Sequence, residues 1–315
     1  KDFQIDENFE YQNKKIHQPI LDSVYRFFYG NYDQNDTKFK EIYYKNLFAY
    51  IWMSRISIYI DKKYKIKKVL GFMTAYSSWH PIFEYFKLNG NRFFSFSLTQ
   101  FDIHGITINY HDLYPAKERY LIFKSKRNTK YLLDKERKLL LDFMNKRFKN
   151  KSDIFVKDKY FDDNKKINYF LKIEQSKKNI FLFSNVFWDI GVSECGYVYD
   201  NVIDWIIDTI NILKDKSDIN LYIKPHPAEI SEGTQSLSGI ENIIKSKIEN
   251  IPKNVFFIEP EWKLNTYDLF KFIDIGLIFN GTIGLEMLSN DVPVISVGKT
   301  PSFELNLMYE PNSKN

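Results

Sequence analysis

The second half of the chain is punctuated in a way that leaves few folds open. Short apolar runs recur at Asn179 to Phe183, Asn220 to Ile223, Val255 to Ile258, Ile275 to Phe279 and Val292 to Val297. Between them lie segments with helical spacing: Val202 to Leu213, Ile240 to Ile248, Tyr267 to Ile273 and Ile283 to Ser289. Continuously apolar strands that alternate with helices require a parallel sheet covered on both faces. The expectation for this half is a Rossmann-like α/β domain.

The first half reads less evenly. Phe39 to Tyr59 has a helical aromatic stripe, which is core packing rather than a cofactor box. Lys68 to Met73 reads as a strand, Ser78 to Leu88 as a helix stopped by Asn89-Gly90, and Arg92 to Leu98 as the next strand, which is β-α-β punctuation. Lys135 to Phe148 is a basic helix. The polar stretch Asp158 to Lys166 has no apolar period and reads as a linker. With 315 residues the chain is long enough for two domains, expected at 1–165 and 166–315.

Composition narrows the class of function. Apolar content of 44% with 27% charged residues is that of a soluble globular protein, and no apolar run approaches the roughly 20 residues of a spanning helix. Cys195 is the single cysteine and cannot form an internal disulfide, and no Cys/His cluster has metal-ligand spacing, so a reducing cytosol and no bound metal are expected. No signal peptide is evident, and a start at Lys1 instead of methionine reads as a piece of something longer. Net charge is +5, with basic residues crowded at Lys62-Lys63, Lys67-Lys68, 124–130 and 147–151. Such crowding is either a solvated face or a match to an anionic substrate or anionic membrane surface. No nucleic-acid partner is expected.

The residues with chemistry sit where the strands end. Pro225 and Pro227 remove two backbone donors and enforce extended geometry, so the strand stops there and offers Lys224 and His226 at its tip. A proline-stopped strand with solvated basic residues would look the same locally; ligand binding at the carboxyl ends of an open sheet is the reading that gives them a task. Two other tips are unusual: Ser184-Asn185-Val186-Phe187-Trp188-Asp189, and Asn280-Gly281-Thr282-Ile283-Gly284-Leu285-Glu286. In a parallel sheet all three emerge on one edge. At the third, glycines and a threonine open a helix whose leading amides suit phosphate, Thr282 adds a hydroxyl donor, and Glu286 one turn further reaches a ribose hydroxyl. A plain glycine turn competes, because the motif is neither GxGxxG nor a Walker sequence.

Opposite a phosphate turn, His226 can donate to a phosphate oxygen and Lys224 can add charge. Asp189 either caps a turn or acts beside an anomeric carbon as nucleophile, base or oxocarbenium stabiliser. Asn265 or Thr266 caps a helix start, with Asp268 in its first turn. In the first half, Trp79 or His80 is expected to face the crevice from a similar strand-to-helix turn; His104 and His111 have no such setting.

The order Phe183-Ser-Asn-Val-Phe-Trp-Asp189, Ile223-Lys-Pro-His-Pro-Ala-Glu229, Asn265-Thr-Tyr-Asp268, Asn280-Gly-Thr-Ile-Gly-Leu-Glu286 and Val292-Pro-Val-Ile-Ser-Val-Gly298 resembles the bacterial capsule polysaccharide biosynthesis family. These GT-B-like glycosyltransferases include users of CMP-activated Kdo, and they are similar to the bacterial polysialyltransferases with a His-Pro motif. The match covers residues 179 to 303. It implies a GT-B-like α/β fold, with two Rossmann-like domains whose parallel sheets face a central crevice. It also implies a metal-independent nucleotide-sugar transferase without a cofactor, its donor held by the C-terminal domain.

By the resemblance, Asp189 and His226 are catalytic. Lys224, His226, Asn280, Gly281, Thr282, Gly284, Glu286, Ser184 and Asn185 form the nucleotide-sugar site, and Trp79 and His80 lie on the acceptor side. Asp189 stands in Asn-Val-Phe-Trp-Asp, a context that departs from the Kdo enzymes. The favoured function is cytoplasmic transfer of a CMP-linked acidic sugar such as Kdo to a glycan or glycolipid, with peripheral contact to the inner membrane. The competing functions are CDP-alcohol polyol-phosphate transfer, hydrolysing nucleotide-sugar epimerisation, and a non-catalytic glycan-binding component of a capsule assembly complex.

Overall fold

The structure of the protein is a computed structural model that describes residues 6, 8–28, 35–71, 74–90, 92–98, 106–109, 133–149, 167, 171, 173–174, 176–189, 196–231, 235–236, 238–260, 265–300 and 302–314. The basic run 124–130, Lys151, the linker 158–166, His104, His111 and Cys195 lie outside these residues. The chain groups into two compact units, Lys1–Tyr114 with Trp188–Ile190, and Pro115–Phe187 with Gly191–Asn315. Each is described by itself.

In the first unit, α1 (His17–Phe28) packs on α2 (Thr37–Tyr64). Asp36 caps α2 by accepting from the Lys38 N–H at 2.8 Å. The helix outruns its expected end because Lys65, not a glycine, takes the left-handed conformation (φ 50) that stops it. Ile16, Ile20, Leu21 and Val24 bury against Phe39, Ile42, Tyr43 and Tyr50, so that part of the aromatic stripe is core, whereas Phe48, Trp52 and Tyr59 are exposed. The strand, helix and strand that follow are β1 (Val69–Gly71), α3 (Tyr76–Leu88) and β2 (Phe93–Leu98), with β1 and β2 parallel. The third strand, β3 (Ile106–Asn109), runs antiparallel to β2. Arg92 grips both carboxylate oxygens of Asp61 at 2.8 and 2.6 Å, tying the end of α2 to the start of β2.

The second unit begins its described residues with α4 (Asp134–Phe148). That helix was expected in the first domain. Its C-terminal end instead belongs to the second unit: Asn265 Nδ2 donates to the Phe148 carbonyl at 2.9 Å and the Phe148 ring meets Tyr267 edge-on. The sheet follows the expected alternation: β4 (Lys178–Phe183), α5 (Val202–Leu213), β5 (Ile219–Lys224), α6 (Ile240–Lys247), β6 (Val255–Phe257), a 3-10 helix (Thr266–Phe272), β7 (Ile275–Ile278), α7 (Ile283–Leu288) and β8 (Val294–Ser296). The order across the sheet is β6-β5-β4-β7-β8, and every pairing is parallel.

Both faces carry apolar clusters, as the uniform strands demand. Ile180, Leu182, Leu221 and Ile223 pack with Trp205, Ile206 and Ile210 of α5 and with Ile240 and Ile244 of α6. Phe181, Phe183, Tyr222 and Ile278 pack on the other face with Leu269, Phe270 and Met287. Each such side chain contributes about 1.5–3 kcal/mol when fully buried. The helices after β4 and β5 thus cover one face, and those after β6 and β7 cover the other. Winding reverses between β4 and β7, and at such a reversal the connecting loops part to leave room for a ligand at the carboxyl edge.

Candidate functional site

The carboxyl edge of this sheet collects most of the residues singled out from sequence. Ser184 and Asn185 follow β4, Lys224 ends β5 with His226 two residues on, and Asn280 to Thr282 follow β7. Since β4 lies between β5 and β7, the tips bearing His226 and Gly281 stand two strand spacings apart, about 10 Å. The Ser184 N–H donates to the Lys224 carbonyl at 3.0 Å, so the β4–β5 ladder persists to the tip. On the other side the Asn280 N–H donates to Asn185 Oδ1 at 3.2 Å. The Ser184 hydroxyl is buried with no hydrogen-bond partner among the described residues.

His226 caps the short 3-10 helix Pro227–Glu229. The Ala228 N–H donates to its Nδ1 at 3.1 Å, and the Glu229 N–H donates to its carbonyl at 3.0 Å. An Nδ1 that accepts leaves the ring proton on Nε2, so the neutral imidazole is oriented as an Nε2–H donor. Glu229 is buried and accepts from the Ile240 N–H at 3.1 Å, which caps α6.

The turn after β7 is bound internally. Gly281 has φ 118, a conformation reserved in practice for glycine, and its N–H donates to Asn280 Oδ1 at 2.7 Å. The Thr282 hydroxyl donates to Glu286 Oε1 at 3.2 Å, so the proton expected to serve a phosphate is committed to a carboxylate. Glu286 is 5% exposed and accepts from Arg147 Nε at 2.8 Å, which occupies the carboxylate expected to reach a ribose. Gly284 is there for packing: a Cβ at that position would stand 2.5 Å from Ile278 and 2.7 Å from Met308. The α7 helix carries no side-chain cap at Thr282.

Similar solved structures include two of Thermosulfurimonas dismutans KpsC. One is a beta Kdo 2,4 transferase, with 12% identity, TM-score 0.44, and coverage of 78% of this chain and 74% of that one. The other is a beta Kdo 2,7 transferase, with 13% identity, TM-score 0.43, and coverage of 80% and 71%. A UDP-GlcNAc 2-epimerase from Neisseria meningitidis bound to UDP-GlcNAc is also similar, with 14% identity, TM-score 0.37, and coverage of 89% and 72%. No family model matches the sequence, and no curated protein does.

Asp189, Trp79 and His80 count with the first unit. Asp189 is exposed in the turn after Trp188. Trp79 is 40% exposed and lines a cleft. His80 turns inward instead: its Nδ1 bonds the Thr74 carbonyl at 3.1 Å, its ring tilts against Tyr50 and Phe83, and burial lowers its pKa below the ordinary value. Among the described residues no group of three His, Cys, Asp or Glu could hold a metal ion, and no helix is long and apolar enough to cross a membrane. Arg147 escaped the sequence reading, because a partner 139 positions away leaves no local signal.

Proposed function

We propose that the chain is a glycosyltransferase of capsule or other surface-polysaccharide synthesis, drawing its sugar from a nucleotide donor. The favoured donor is a CMP-linked acidic sugar such as Kdo, and the acceptor is a glycan or glycolipid. One observation carries the reading: where the sheet's winding reverses, Asn185 clasps the Asn280-Gly281 turn, and one strand away His226 is oriented as an Nε2–H donor. That arrangement suits a nucleotide's phosphate, which accepts hydrogen bonds and carries charge.

In the proposed reaction the bond from the anomeric carbon to the phosphate oxygen breaks as the acceptor oxygen bonds to that carbon. His226 and Lys224 meet the charge that grows on the leaving phosphate, and Asp189 takes the acceptor's proton. Neither a metal nor a cofactor is needed for this sequence. A cytoplasmic location goes with it, and the exposed Lys135, Arg137 and Lys138 beside exposed Leu139, Leu140 and Leu141 favour contact with the anionic inner-membrane surface.

Incubation with CMP-, CDP-, UDP- and GDP-linked donors and a glycan acceptor, followed by mass spectrometry and NMR of the product, tests the proposal. A new glycosidic bond with release of the free nucleotide supports it. A phosphodiester-linked product makes the chain a polyol-phosphate transferase instead, and consumption without acceptor makes it an epimerase or hydrolase. If no donor is consumed, transfer is excluded.

A further inference from the structure

Where α1, α2 and α3 converge in the first unit, polar groups stand in the core. Ser77 is 3% exposed; its Oγ donates to Asn46 Oδ1 at 2.6 Å and its N–H donates to Ser23 Oγ at 2.8 Å. Asn46 Nδ2 donates to the Ile42 carbonyl at 2.9 Å, and Ser23 Oγ lies 3.1 Å from the Pro19 carbonyl. The network fixes α3 to α1 and α2, with the Ser23 hydroxyl within reach of both the Pro19 carbonyl and Ser77 Oγ, each at 3.1 Å. Burying polar groups here costs desolvation that three apolar side chains would avoid, so the arrangement is expensive as mere packing.

The network is the floor of an open cavity of about 280 Å³, walled by Arg26, Tyr76, Ser78 and Trp79. That volume lies just below the usual range for small-molecule pockets and fits one monosaccharide better than a nucleotide. The walls differ in chemistry. Trp79 is 40% exposed and offers an apolar face to the C–H side of a pyranose. The floor's protons are bound internally, but a serine oxygen accepts two hydrogen bonds and an amide nitrogen carries two N–H groups, which leaves capacity for ring hydroxyls. Arg26 is held with its guanidinium over the Trp188 ring, 4.5 Å from the centroid, a stacking that keeps a planar donor fork oriented. Fork, platform and polar floor together match a sugar that carries a carboxylate.

We infer that this cleft binds one carboxylate-bearing sugar residue. Its assignment as the acceptor's reacting end rests on the transferase reading above; the binding itself does not. Acidic-sugar preference is therefore set in the first unit, by Arg26 and Trp79, whatever donor the second unit takes.

Saturation-transfer NMR with methyl β-glucuronide and methyl β-glucoside, in the absence of any nucleotide, tests the inference. The expected result is binding of the glucuronide at least about tenfold tighter than the glucoside, as one charge-assisted pair gives. R26Q should bring the glucuronide down to the glucoside's level, and W79A should weaken both sugars. Trp79 is partly exposed, so W79A remains informative if R26Q fails to fold. Equal binding of the two sugars by the wild type, or unchanged glucuronide binding in W79A, overturns the inference. So does displacement of glucuronide by equimolar inorganic phosphate with no glucoside binding, which would mark a plain anion hole. Donor turnover that persists while glucuronide binding is absent sinks this inference alone. Glucuronide binding without turnover of any donor sinks the transferase reading alone.

Discussion

Asn185 accepts the backbone N–H of Asn280 through its Oδ1 at 3.2 Å, joining the tips of the two strands between which the sheet's winding reverses. The bond holds Gly281, with its positive φ, at a fixed height above the edge. Replacing Asn185 with alanine removes a bond worth about 1 kcal/mol and frees the turn. The expected result is a roughly five- to tenfold loss of nucleotide affinity by calorimetry, with the far-UV circular dichroism unchanged.

His226 has two separable tasks, capping through Nδ1 and donation through Nε2. His226→Asn keeps a side-chain acceptor for the Ala228 N–H and removes the donor. This variant should melt close to the wild type yet lose about 100-fold or more in turnover. His226→Ala should lose the same activity and, in addition, about 1 kcal/mol of stability in urea unfolding.

Arg147 and Glu286 form an ion pair, 21% and 7% exposed, that fastens α4 to the helix after the glycine turn. Arg147→Met strands a buried carboxylate and should cost roughly 2–3 kcal/mol, less than a fully buried pair because the guanidinium still touches water. The double variant Arg147→Met with Glu286→Gln should recover much of that loss. A double-mutant cycle in denaturant measures the coupling.

His80 supplies a pH dependence with a definite sign. Burial lowers its pKa in the folded state below the ordinary 6.5, against an opposing pull from Glu84 and with a smaller push from Lys14 and Lys87. The unfolded chain therefore binds the proton first on acidification, so the stability contribution is present above about pH 6.5 and is lost as pH falls through the folded value. Thermal unfolding of the wild type should weaken over that window. His80→Asn, which does not titrate, should flatten the corresponding part of the curve.

The second unit was legible because each of its rules is local. Strands at 179–183, 220–223, 255–258, 275–279 and 292–297 appear at Lys178–Phe183, Ile219–Lys224, Val255–Phe257, Ile275–Ile278 and Val294–Ser296. The prolines end β5 as read, and Asn265 caps the next helical segment by accepting from the Tyr267 N–H at 3.1 Å. That segment is 3-10 instead of α, a difference in hydrogen-bond spacing that seven residues cannot encode. What sequence could not reveal is where each proton goes. Thr282, Glu286 and Gly284 have the residue types of a phosphate turn, but Thr282 is claimed by Glu286 one turn on, Glu286 by Arg147 from 139 positions away, and Gly284 by packing against Ile278 and Met308. Likewise, Trp79 and His80 are neighbours on one helix, and only packing decides that the first lines a cleft and the second turns inward.

The carboxyl edge of β4, β5 and β7 is proposed to hold a nucleotide's phosphate, and a crystal structure of the protein soaked with CMP is the decisive experiment. A phosphate oxygen is expected within hydrogen-bond distance of His226 Nε2, beside the Asn280-Gly281 turn. CMP bound at any other place, with that edge holding only solvent, contradicts it.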